Sequence, residues 1–135
     1  ADTWHREVWA TLGAVRAAVP GHLSLTTHHR DLDDAEFLDA LKASGVDEAV
    51  AMVYTTREAT ARATIERLLA KTARGPRIAL AQSVESALPA NESSFLKGRS
   101  ASLTIWRNLV TALSPNQRFS GLIVQSLADY EKARP

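Results

Sequence analysis

The 135-residue chain contains no cysteine, so disulfides, thiolate metal sites and thiol nucleophiles are excluded. It also lacks any apolar run near the roughly 18 residues that cross a bilayer, and no secretory leader pattern opens it. Neither sign of charge dominates: 16 Lys and Arg stand against 15 Asp and Glu, a net +1. That balance provides no electrostatic footprint for nucleic acid or an anionic membrane, and neither partner is expected. Glycine is sparse, six in all, and neither G-x-G-x-x-G nor G-x-x-x-x-G-K-[ST] occurs. A phosphate-cradling loop is therefore missing. So are the G-x-S-x-G nucleophile elbow and the H-E-x-x-H metal motif. No cofactor is expected. Lack of cysteine suits the cytoplasm as well as an exported bacterial protein, with export slightly favoured. A first residue of Ala1 followed at once by a helical pattern suggests a trimmed or excised piece.

What is present is a regular alternation. Trp4, Val8, Leu12 and Val15 mark one face of a first helix, widened by Trp9, with Asp2 as its cap and Pro20-Gly21 as its end. A short extended run, residues 22–27, follows. Asp33 and Glu36 have capping-box spacing for a second helix that buries Phe37, Leu38 and Leu41 and ends at Gly45. The second strand spans residues 48–54. Thr55 and Glu58 repeat the capping box before a helix with Ala61, Ile65, Leu68 and Leu69 inward. The third strand covers residues 77–84. After a longer loop, a helix over residues 100–113 buries Leu103, Trp106, Leu109, Val110 and Leu113, and a fourth strand spans 121–125.

This order predicts one α/β domain over residues 1–135 with four parallel strands joined by right-handed crossovers. The strands are almost continuously apolar, which predicts cover on both faces. Two arrangements fit: half of a (β/α)8 TIM barrel, whose full length is typically about 250 residues, or an open four-stranded parallel sheet. The opening helix and the absence of glycine-rich loops favour the half barrel.

The stretches LSLTT, VDEAVAMVY, RIALAQSVESALP and FSGLIVQSLADYEKARP resemble the last four strands of glycosidase-like (β/α)8 barrels of bacterial type. These are distantly similar to the chitinase-type glycoside hydrolases. The resemblance covers nearly the whole chain and implies carbohydrate binding or hydrolysis. The family's catalytic acid closes a D-x-x-D-x-D-x-E strand that would precede Ala1. Where the family often has M-x-Y-D, this chain has Met52-Val53-Tyr54-Thr55. The resemblance thus implies catalytic carboxylates largely outside this chain, or a non-catalytic carbohydrate-binding or scaffold module. An open α/β domain that binds a small ligand or a protein is the remaining alternative.

Parallel α/β folds bind ligands at the C-terminal ends of their strands. The candidates there are His28 and His29, Tyr54, Gln82, Glu85 and Gln125. Amides, hydroxyls and an aromatic ring suit a sugar, which offers hydroxyls and an apolar face. Adjacent residues in an extended segment point oppositely, so only one histidine is expected to face a ligand. A metal would need further ligands from other loops, and none is expected. Asp33 and Asp34 are explained by capping and the helix dipole. Glu85 is the candidate acid or nucleophile, but glycoside hydrolysis requires a second carboxylate. No other strand end here supplies one. Trp4, Trp9 and Trp106 read as packing residues. Four strands alone leave two open edges, so a complementary half barrel or another copy of the chain is the expected protein partner, beside a carbohydrate ligand.

Overall fold

The computed structural model describes residues 3–135, with side chains from His5 onward. The Asp2 cap and the Trp4 packing position lie outside the described residues. Among the described residues, nine elements follow one another: α1 (Thr3–Ala18), β1 (Ser24–His28), α2 (Ala35–Ala43), β2 (Glu48–Met52), α3 (Glu58–Lys71), β3 (Arg77–Ser83), α4 (Arg99–Leu113), β4 (Phe119–Gln125) and α5 (Leu127–Lys132), with 3-10 turns at Asp31–Asp33 and Phe95–Lys97. The four strands form one open parallel sheet in the order β1-β2-β3-β4. The chain is therefore an α/β protein of the open four-stranded parallel type.

Neighbouring strands in sequence are neighbours in space. Right-handed crossovers then deliver successive helices to the same face. The main core lies there: Ala49, Ala51, Val53, Ile78 and Leu80 from the strands meet Leu38, Leu41, Ile65, Leu68 and Leu109 from the helices. Each fully buried Leu or Ile contributes about 1.5–3 kcal/mol. A small separate cluster on the other face, Val50, Ala79 and Ala81 with Met52 and Tyr54, contains strand-region residues only. Cover on both faces, expected from the apolar runs, is thus realised only for the inner strands. β3 is buried from Ile78 to Ser83, whereas β1 and β4 are half exposed, because each is an edge.

Local signals shift where a turn intervenes. The 3-10 turn Asp31–Asp33 leaves Asp34, not Asp33, in the extended conformation a cap needs. The Asp34 carboxylate accepts from the Phe37 N–H at 2.8 Å. Thr55 does not cap α3; its hydroxyl accepts from the Arg57 N–H at 3.2 Å, just before the helix, and α3 starts without a side-chain cap. β4 begins at Phe119, two residues before the expected start. Its register against β3 slips by one residue, and Gly121 takes φ 132° there, a bulge conformation that favours glycine.

α1 is fastened to the sheet layer at two points. Trp9 meets the Phe37 ring edge-on at 4.6 Å. Arg16 donates to Asp47 at 3.0 Å and to the carbonyls of Val19 and Gly21 at 3.0 and 2.5 Å. At the opposite end of the layer, α4 has no long helix on its outer side among the described residues; only the short α5 approaches it, with Tyr130 6.1 Å from Trp106. Val110, expected to be buried, is exposed there, and Leu103 is only partly covered.

Candidate functional site

β2 and β3 end at Met52 and Ser83, and the chain beyond them carries Tyr54 and Glu85. Residue parity places Tyr54, Ser83, Glu85 and Gln125 with Val50, Met52, Ala79 and Ala81, on the face without helices. The Tyr54 hydroxyl donates to Gln125 Oε1 at 3.1 Å, linking residues 71 apart across the end of β3. Ser83 Oγ donates to Glu85 Oε2 at 2.9 Å and accepts from the Glu85 N–H at 3.1 Å. Burial raises the Tyr54 pKa, and the Glu85 carboxylate raises it further. The phenol therefore stays a neutral donor, and the carboxylate is near enough to sense it. The peptide between Gln125 and Ser126 is cis.

The loops behind this rim are tied down. Ser86 N–H donates to Asp129 at 3.0 Å, joining the segment after β3 to α5. Thr56 N–H donates to the Asn91 carbonyl at 3.0 Å, joining the segment after β2 to the long loop. Both links bridge distant parts of the chain, and no local pattern announces them.

Gln82 sits apart from the rim. It is 2% exposed, and its amide donates to the Val53 carbonyl at 2.6 Å. Its parity is that of Ile78 and Leu80, the helix-covered side. It holds the end of β2 against β3.

His28 and His29 lie at the end of β1. Their rings are 4.5 Å apart with a 31° tilt, so they do not diverge as an extended pair would. The chain leaves the strand at His29 and turns into the 3-10 segment. His28 Nδ1 accepts from the Arg30 N–H at 3.1 Å. Burial lowers the His29 pKa, and the charges of His28 and Arg30 lower it further, against an opposing pull from Asp33. His29 Nδ1 is buried with no hydrogen-bond partner among the described residues. No three His, Asp or Glu side chains converge as a ligand set among the described residues.

Asp33 binds Arg67 and Lys71 of α3, with Lys71 Nζ at 2.9 Å. Burial pushes its carboxyl up, but hydrogen bonds from Lys71 and Arg67 and their charges outweigh this, and the pKa falls below the ordinary 3.8. A depressed folded-state pKa contributes stability that is present above the unfolded value and lost as pH falls through the folded one. The Asp33 side chain is 32% exposed, so the gain is screened, about 0.2–1 kcal/mol. Asp33→Asn is expected to lower neutral-pH stability by that amount and to flatten the acid limb below about pH 4. Urea melts at several pH values measure both. An acid limb as steep as in the unaltered chain would contradict the assignment.

Taken together, fold and rim define a parallel α/β protein with hydrogen-bonding groups gathered at its strand ends, on a sheet face that helices leave uncovered. The chain matches no family model, no curated protein and no solved structure.

Proposed function

We propose that this chain is the carbohydrate-binding part of a glycosidase-like barrel, half of which it forms, with a sugar held over the ends of β2, β3 and β4. The observation that carries the reading is the Tyr54–Gln125 hydrogen bond beside the Ser83–Glu85 pair. A ring, an amide and a carboxylate within one rim suit a polyhydroxylated ligand with an apolar face, and Ser83, 1% exposed, holds the Glu85 carboxylate in place. The strand order is the one a (β/α)8 barrel also requires. A complementary half barrel or a second copy would complete the ring.

Hydrolysis would use Glu85 only with a second carboxylate from the missing half. Binding without catalysis has an observation in its favour. Thr55 stands where the barrels that the sequence resembles often have an aspartate, and its hydroxyl closes a backbone turn.

Calorimetric titration with a panel of oligosaccharides tests the site. At least one sugar is expected to bind, with Tyr54→Ala and Gln125→Ala each weakening it by about tenfold, the worth of one aromatic or hydrogen-bond contact. A panel with no binder, or one bound equally by both variants, overturns the reading.

A further inference from the structure

We propose that the groove beside β4 receives α1 of a second copy of this chain, and that two copies close head to tail into one ring of eight parallel strands. The proposal rests on the half-barrel reading of the fold, and needs no sugar.

The groove lies between α4, β4 and α5. It has a volume of about 760 Å³ and is lined by Leu103, Trp106, Val110, Leu122, Leu127 and Tyr130, with Arg107 beside them. Leu127 is 71% exposed, and Val110 on α4 is exposed too. Trp106 is almost fully buried, yet its indole N–H has no acceptor among the described residues. Such a donor is normally satisfied. The outer edge of β4 runs along the groove and has no strand partner among the described residues, and neither has the outer edge of β1.

The occupant follows from the far end of the same layer. One long helix and one strand repeat four times, from α1-β1 to α4-β4. Two copies supply eight of each, the number at which a parallel ring closes. A two-fold axis places β1 of each copy beside β4 of the other and α1 beside α4. Both edges disappear at once.

α1 has a surface shaped for this place. His5 and Trp9 face Phe37, Arg16 faces Gly45 and Asp47, and Leu12 points into the core. At 100° per residue, Glu7, Thr11, Ala14 and Ala18 fall on the flank turned away from α2. All four are exposed. Short side chains on this flank let a helix sit close against the large residues of the groove. The charges are complementary: acidic Glu7 stands on the flank, and basic Arg107 lines the groove.

Sedimentation of the 135-residue chain is expected to give twice its 14.7 kDa mass. Glu7→Arg and Arg107→Glu are each expected to weaken the pair by roughly tenfold or more, and the double exchange to restore it. Should either reversal unfold the chain, a second test remains. The chain has no cysteine, so Ala14→Cys and Val110→Cys chains, made separately and mixed, are expected to cross-link through a disulfide between positions 14 and 110 in preference to either homodimer, because α1 of one copy meets α4 of the other. A monomer at about 100 μM, far above the Kd of a stable pair, overturns the proposal. So does a dimer indifferent to both reversals, a ladder of larger open oligomers, or failure of the cysteine pair to cross-link. Absence of sugar binding changes none of these masses, so failure of the ligand reading is seen separately.

Discussion

Phe37→Ala is expected to cost about 3–5 kcal/mol, the range for removing a buried aromatic ring from a core. Phe37 is 2% exposed, and both Trp9 and His5 present their rings to it, at 4.6 and 5.1 Å. It is the residue through which α1 is docked on α2. Its loss leaves a cavity lined by rings from the other helix, and α1 is then held by Val8, Leu12 and the Arg16 contacts. Urea denaturation followed by tryptophan fluorescence measures the change, since Trp9 reports directly on this contact. Phe37→Leu refills much of the volume and is expected to cost less than half as much. A loss under about 1 kcal/mol for the alanine variant would show that α1 is not packed there. The same variant would weaken the proposed pairing of copies, because α1 carries the flank that pairs.

The second large effect is expected at Gly98, the residue that starts α4. It has φ 87° and ψ 168°, and a Cβ there would stand 2.9 Å from the Pro135 carbonyl oxygen and 3.1 Å from that of Arg134. The Arg134 oxygen accepts from the Arg99 N–H at 2.8 Å, which satisfies one of the unpaired donors at the helix start. Gly98→Val imposes a backbone conformation that costs a side-chain-bearing residue about 1–3 kcal/mol. It also pushes the chain end off the helix, at a further cost of about 1–3 kcal/mol for overpacking. Gly13→Ala is the contrasting change. Gly13 lies within α1, and a methyl group added there would meet nothing within 4 Å. Alanine at this position is expected to gain about 0.5–1 kcal/mol. Thermal melts should move in opposite directions. A Gly98→Val variant that melts no lower than the unaltered chain would contradict the backbone and crowding described at Gly98, and a destabilised Gly13→Ala would contradict the open space at Gly13.

Periodicity made the element order readable because each element repeats its own spacing locally. The four strands and the helices between them occur where the apolar residues place them. Their ends shifted where a non-repeating turn intervened. The Asp31–Asp33 turn moved the cap of α2 by one residue, and the bulge at Gly121 let β4 begin at Phe119. Val110 has the spacing of a core residue, and it would be one if another helix flanked α4. Its exposure follows from the position of α4 at the end of a layer.

The rim shows the same division. Tyr54, Glu85 and Gln125 could be assigned to strand ends because parallel α/β units put their exits on one side. That Tyr54 reaches Gln125 follows from β2 and β4 flanking β3 and from matched parity across three strands. Gln82 differs from its neighbours Ala81 and Ser83 only by one step of alternation, and that step turns its amide to the Val53 carbonyl. The Asp33 partners are 34 and 38 residues away on α3, beyond the reach of any local spacing rule.

By itself, then, the sequence determined the class of the fold and the strand exits where ligand-binding side chains can lie. Local hydrogen bonding and the periods of 3.6 and 2 act over a few residues, and they suffice for that. Only the tertiary structure decided the strand order, the face left bare of helices, the Tyr54–Gln125 bond, and the groove beside β4. Those depend on which elements become neighbours, and that is settled by burial summed over the whole chain.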